Sequence, residues 1–157
     1  MVVAKTALAI ADRTPLVHEV VGPDLHNHDV GLGNTFGHLD LLARAHGIPD
    51  ADDAVDEVLH EVQLVPQSGQ LPGTLSSGQR RRLALATAFI RPRKLLILDE
   101  PEQRLDTEGV AWLAARLVAE RQRGLAIVMA SHEPSLVEKV ATRVVRLGDR
   151  AEVLADE

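Results

Sequence analysis

"GTLSSGQRRRLALATAF" (73–89) followed by "KLLILDEP" (94–101) decides how this chain is read. A small polar turn runs into three arginines and then into an apolar helix. Ser76 and Gln79 stand at the spacing at which a serine hydroxyl and a glutamine side chain serve free backbone N–H groups at a helix start. Gly78 allows another group to approach the backbone closely. Such a helix start carries unpaired N–H donors and the positive dipole end, which suits phosphate oxygens. The plainer reading is a well-capped helix whose Arg80, Arg81 and Arg82 form a solvated face. Both readings stand on this stretch alone.

"LLILD" is a short continuous apolar run stopped by Pro101, the pattern of a strand buried on both faces. It delivers Asp99 and Glu100 to its C-terminal edge, where open α/β sheets bind ligands. Adjacent carboxylates there suit two tasks, one holding Mg²⁺ and the other orienting a water. A simple turn with a helix cap accounts for the same letters. "GLAIVMASH" (124–132) is a second buried strand, ending in Ser131-His132. Between the two, "TEGVAWLAARLVAERQR" (107–123) spaces Val110, Leu113, Ala114, Leu117 and Val118 as a helix does. Strand, helix, strand is a parallel crossover unit.

Outward from this centre the chain is less regular. "VVAKTALAIA" (2–11) reads as a strand, and 15–33 as irregular loop marked by Gly22-Pro23 and "HNHD". "NTFGHLDLLARAH" (34–46) is a helix with Asn34 as N-cap and Gly47 as stop. "DADDAVDEVLHEVQL" (50–64) is another, with Val55, Val58, Leu59 and Val62 on one face. Residues 66–75 form a loop. "RVVRLGDRAEVLA" (143–155) reads as a hairpin turning at Gly148-Asp149. The expected organisation is a leading strand over 1–14, a helical region over 15–75 and an α/β core over 76–157.

Composition narrows the function classes. The 157 residues contain no cysteine, which excludes disulfides, zinc–thiolate sites and thiol nucleophiles. A net charge of −6 offers no general attraction to nucleic acid. No apolar run approaches a membrane span, and the first ten residues lack a signal-peptide pattern, so a cytoplasmic protein is expected, placed peripherally on the inner face of the membrane if its partner is there. "HNH" (26–28) has no accompanying ligand pattern, and "GLGNTFG" is loop.

The stretch "LSSGQRRRLALATAFIRPRKLLILDEPEQRLD" resembles the heart of an ATP-binding-cassette (ABC) transporter ATPase, with signature loop, Walker B strand and D-loop in order. "AIVMASHEP" resembles the family's switch-histidine strand. The resemblance implies a signature formed by Leu75, Ser76, Ser77, Gly78 and Gln79, with Asp99 as the Mg²⁺ aspartate and Glu100 as the catalytic base. Asp106 would be the D-loop aspartate, His132 the γ-phosphate sensor, and residues 34–64 the helical subdomain that meets the membrane subunit. The implied fold is a partial three-layer α/β cassette of P-loop NTPase type with a helical subdomain.

The chain departs from this pattern at several points. A complete cassette carries G-x-x-x-x-G-K-[ST], whose backbone cradles phosphate. The lysines here are Lys5, Lys94 and Lys139, and none follows a glycine, so no Walker A can be assigned. In the register that places "ALAIAD" on the strand into the Q-loop, Asp12 takes the usual glutamine's place as a metal-binding candidate, and the chain starts after the nucleotide-cradling half. Ser77 replaces the first signature glycine, and Glu102 and Arg104 replace small residues before the D-loop. Family members work as head-to-tail dimers in which one subunit's P-loop holds ATP and the other's signature caps it. The expected function is therefore an ABC-type ATPase subunit, poorly active alone. It would use ATP and Mg²⁺ only with an intact ABC ATPase partner and a membrane permease. The alternatives are a non-catalytic interaction module derived from such an ATPase, and a fragment of a split gene.

Overall fold

The computed structural model describes residues 7–9, 20–21, 33–147 and 151–154. They belong to two compact units: residues 24–92, which are helical where described, and residues 1–23 with 93–157, which are α/β.

In the helical unit, α1 spans Thr35–Ala45 and starts as its sequence dictates, the Asn34 side chain accepting from the Gly37 N–H at 2.8 Å. Gly47 follows at φ 67, a left-handed position that ends helices at little cost for glycine. The second helix, α2, spans Ala51–Glu61 and buries Val55, Val58 and Leu59, with Val62 buried just beyond its end. The polar stretch that follows contains two single 3₁₀ turns, Val65–Gln67 and Pro72–Thr74. Its carbonyls serve the first N–H groups of α1: Thr35 N donates to Gln70 O at 2.8 Å and Phe36 N to Ser68 O at 2.9 Å. Helix α3, Ser77–Phe89, is nearly all buried from Leu83 onward.

The α/β unit is organised by a crossover. Strand β3 (Leu95–Asp99) leads through α4 (Thr107–Gln122) to β4 (Ala126–Ala130), and β3 and β4 pair in parallel from Leu95↔Ala126 to Asp99↔Ala130. Leu113, Ala114 and Leu117 form the buried stripe of α4, as the spacing predicts, while Val110 and Val118 are half-buried. Asp106 caps this helix by accepting from Gly109 N at 2.8 Å. A short helix, α5 (Pro134–Val140), buries Leu136 and Val140 and receives the Arg121 guanidinium on its last carbonyl at 2.6 Å.

Two further strands flank the pair, giving the order β1-β4-β3-β2 among the described residues. Strand β1 (Ala7–Ala9) runs antiparallel to β4, while β2 (Val20–Val21) runs parallel to β3. The second lies in a stretch expected to be loop; two residues are too few to show a period, and only their pairing with Ile97 and Leu98 makes them a strand. The predicted C-terminal hairpin is present as β5 (Val144–Leu147) against β6 (Ala151–Leu154). Its turn at Gly148-Asp149 lies outside the described residues, as do residues 15–19 and 22–32 of the loop expected over 15–33.

Candidate functional site

The candidate residues fall on two structures, each described by itself. In the helical unit the capping box at the start of α3 is complete. Ser76 Oγ accepts from Gln79 N at 3.2 Å, and Gln79 Oε1 accepts from Ser76 N at 2.8 Å. Helix geometry leaves the first-turn N–H groups without intrahelical partners, and the serine takes that of Gln79, so those of Ser77 and Gly78 remain. Ser76 and Ser77 are exposed, Gly78 and Gln79 half-buried, and Leu75 anchors the loop as a buried side chain. The arginines correct the expectation of a solvated face in part: Arg80 is exposed, Arg82 half-buried and Arg81 buried. Arg80 Nη1 donates to Leu75 O at 2.7 Å, fastening the loop to its own helix. Arg81 is only 6% exposed, and Arg82 Nη1 reaches Val62 O at 3.3 Å and Gln63 Oε1 at 2.9 Å. Guanidinium groups fill such positions because their long stems pack while the planar head pairs with carbonyls.

In the α/β unit the parallel register brings two strand ends level. Asp99 closes β3 opposite Ala130, and Glu100 N donates to Ala130 O at 2.8 Å, carrying the pairing one residue further. Glu100 then turns with φ 44. Its side chain meets His132, which leaves the end of β4: His132 Nε2 lies 2.8 Å from Glu100 Oε1. The other oxygen, Oε2, accepts from the Gln103 amide. Glu100 is mostly covered, whereas His132 remains nearly half exposed. Two residues absent from the site as read from sequence thus belong to it: Gln103, and Glu102, whose Oε1 accepts from Ser131 Oγ at 2.7 Å and His132 N at 2.9 Å. Sequence reading registered Glu102 only as a departure from a pattern; a contact across 29 residues leaves no periodic signal.

Asp99 stands at the strand end with Glu100 beside it, an arrangement that fits a Mg²⁺ held by one carboxylate together with phosphate oxygens. No cluster of three metal-ligating side chains occurs among the described residues. This sequence holds no G-K-[ST]. Asp12, the Q-loop candidate, lies outside the described residues.

Comparison with known proteins gives a consistent result. A family model described as "AAA domain, putative AbiEii toxin, Type IV TA system" matches residues 9–138. The cytochrome c biogenesis ATP-binding export protein CcmA of Pseudomonas aeruginosa is 34% identical over 126 residues, covering 78% of this chain and 61% of that protein. The general L-amino acid transport ATP-binding protein AapP of Rhizobium johnstonii is 27% identical over 149 residues, covering 87% and 58%. Among solved structures, a dimeric post-hydrolysis state of the ATP-binding cassette MJ0796 with ADP and Pi superposes with a TM-score of 0.72 at 19% identity, covering 88% of this chain and 64% of that one. That likeness shows the fold: an ABC cassette of P-loop NTPase type. The chain spans 58% and 61% of the length of AapP and CcmA, the two curated relatives named above.

Proposed function

The chain belongs to the AAA-domain family whose model it matches, and its relatives are ATP-binding proteins of ABC transporters; from that premise we propose that its signature loop completes an ATP site held by an intact cassette subunit. One observation carries the reading. The chain has a fully formed signature helix start, with Ser76 and Gln79 interlocked and the Ser77 and Gly78 N–H groups left over. The same sequence has no lysine preceded by glycine. The first feature supports a phosphate-capping role, and these 157 residues hold no G-x-x-x-x-G-K-[ST] cradle to pair with it.

In this reading the loop from Leu75 to Gln79 presents the Ser77 and Gly78 N–H groups and the helix dipole to a γ-phosphate held by the partner. Asp99 is the carboxylate suited to Mg²⁺, and with Glu100 and His132 it acts in this family on ATP held by the same chain, so none of the three has a substrate beside it when the partner holds the nucleotide. Glu100 is the carboxylate suited to orient a water, and His132 the side chain suited to meet a γ-phosphate. Asp106 caps α4 and belongs to the D-loop. The second partner is a membrane permease subunit, which would hold the chain at the membrane although no helix among the described residues is long and apolar enough to cross one.

A second reading, a nucleotide-free interaction module, is favoured by one feature: both Glu100 oxygens are already engaged, by His132 and Gln103. Calorimetry and turnover separate the two. The purified chain alone is expected to give no heat with micromolar ATP and no ATPase activity. Co-expressed with an intact ABC cassette subunit, it is expected to raise that subunit's ATPase rate, and Ser76→Ala or Gly78→Asp to abolish the rise. A stable complex without stimulated turnover identifies the interaction module. Micromolar ATP binding by the isolated chain defeats the shared-site reading.

A further inference from the structure

We propose that Glu102 is the positioning residue for His132, setting the loop after β4 so that the imidazole rests on Glu100. The inference deepens the functional reading above and rests on it for the importance of His132, but the contact it concerns is independent of nucleotide. Three observations converge. The Glu102 carboxylate joins the loop after β3 to the loop after β4 through a single oxygen, Oε1, which accepts from both Ser131 Oγ at 2.7 Å and His132 N at 2.9 Å. Ser131 is buried and its hydroxyl also accepts from Glu133 N at 3.1 Å, so the backbone on both sides of His132 is tied to one chain of hydrogen bonds that ends on Glu102. The imidazole itself, by contrast, is half exposed.

The chemistry explains why a carboxylate performs this task. A carboxylate is an acceptor only, and its lone pairs can take two donors on one oxygen. A small hydroxyl residue at position 102 lacks the reach, and its own O–H adds a donor where only an acceptor is wanted. The remaining oxygen, Oε2, is buried without a hydrogen-bond partner. A buried unpaired oxygen is unfavourable, so the contact to the switch loop has to compensate for it. Glutamine at 102 keeps the accepting Oε1 and is the conservative test; alanine and threonine remove the reach.

Histidine acylation by diethylpyrocarbonate reads the position of His132 directly. Trypsin releases "GLAIVMASHEPSLVEK" (124–139), in which His132 is the one histidine, so mass spectrometry follows it without ambiguity. In the full chain, without nucleotide, Glu102→Ala and Glu102→Thr are expected to speed labelling of His132 about fivefold, the population shift that one net hydrogen bond carries. Glu102→Gln is expected to stay at the parent rate and Ser131→Ala to fall between. His46 and His60 of the helical unit serve as internal references and should not change. Unchanged labelling of His132 in Glu102→Ala overturns the proposal. So does equal acceleration at all three histidines, which would mean loss of structure, and so does a Glu102→Gln protein that labels as fast as alanine. Because no ATP enters the assay, failure here leaves the shared-site reading standing, and failure of that reading leaves this result intact.

Discussion

Glu100 and Arg104 adopt φ 44 and φ 65, left-handed conformations that side chains with a Cβ rarely take. Both lie in the five residues that turn away from β3, where Glu100 is held by His132 and Gln103. Arg104 is exposed, so the surroundings give it little in return. Replacing it with glycine should raise stability by about 0.5–1 kcal/mol, since glycine takes this conformation without the Cβ penalty. Urea unfolding midpoints compare the two proteins. His38 in α1 illustrates a different residue-scale effect. Burial lowers its pKa below the ordinary 6.5, because the charged ring is poorly solvated there. The unfolded chain therefore takes up the proton more readily than the folded one. Stability from this group is full above the unfolded value and falls as the pH drops through 6.5 toward the lower folded value. The parent protein should lose stability between pH 7.5 and pH 5.5 relative to His38→Gln, with urea midpoints at both pH values as the measure.

At the scale of elements, caps are where sequence and structure agree most closely, because a cap is a contract among four neighbouring residues. Asn34 and Ser76 both accept from the N–H three residues on, as their positions ahead of apolar periodicity predict. Ser76→Ala should lower stability by about 1 kcal/mol through loss of the cap, with the helix signal and cooperative unfolding otherwise kept. Circular dichroism during urea titration tests this. Strands β3 and β4 were equally legible, since a buried parallel strand leaves an unbroken apolar run. What local pattern does not carry is pairing. Nothing within Val20-Val21 marks a strand, and nothing within Ala7–Ala9 says that it runs antiparallel to β4; both follow from partners far away in the chain. The site divides on the same line. Glu100 and His132 were legible from their strand ends, while the hydrogen bonds from Ser131 and His132 to Glu102 join residues 29 and 30 positions apart and surface only in three dimensions. Arg81 is a related case, a charge in a run of charges that is buried because its helix is covered almost all round from that point.

For the whole molecule, net charge carries a prediction about binding to polyanions. The net charge is −6, and of the densest basic run, Arg80 to Arg82, Arg81 is buried and Arg82 is half-buried on oxygens of its own unit, while Arg80 is exposed with Nη1 on Leu75 O. Phosphate-backbone binding draws its affinity from accessible Lys and Arg. The protein should pass through immobilised heparin at 50 mM salt and be retained by an anion exchanger; retention on heparin would contradict this.

The order of the two units along the chain has a consequence for biogenesis. Residues 24–92 separate Val21 from β3, and the partner of β1 comes later still, at Ile127 to Met129. At a translation rate of about 5–20 residues per second, roughly 4–15 seconds pass between synthesis of Val21 and of Leu95. During that interval residues 24–92 are being made, while Val20 and Val21 wait without the strand they pair with. Newly made chains should therefore be captured by ribosome-associated chaperones before residue 95 emerges, and released once the crossover helix has closed.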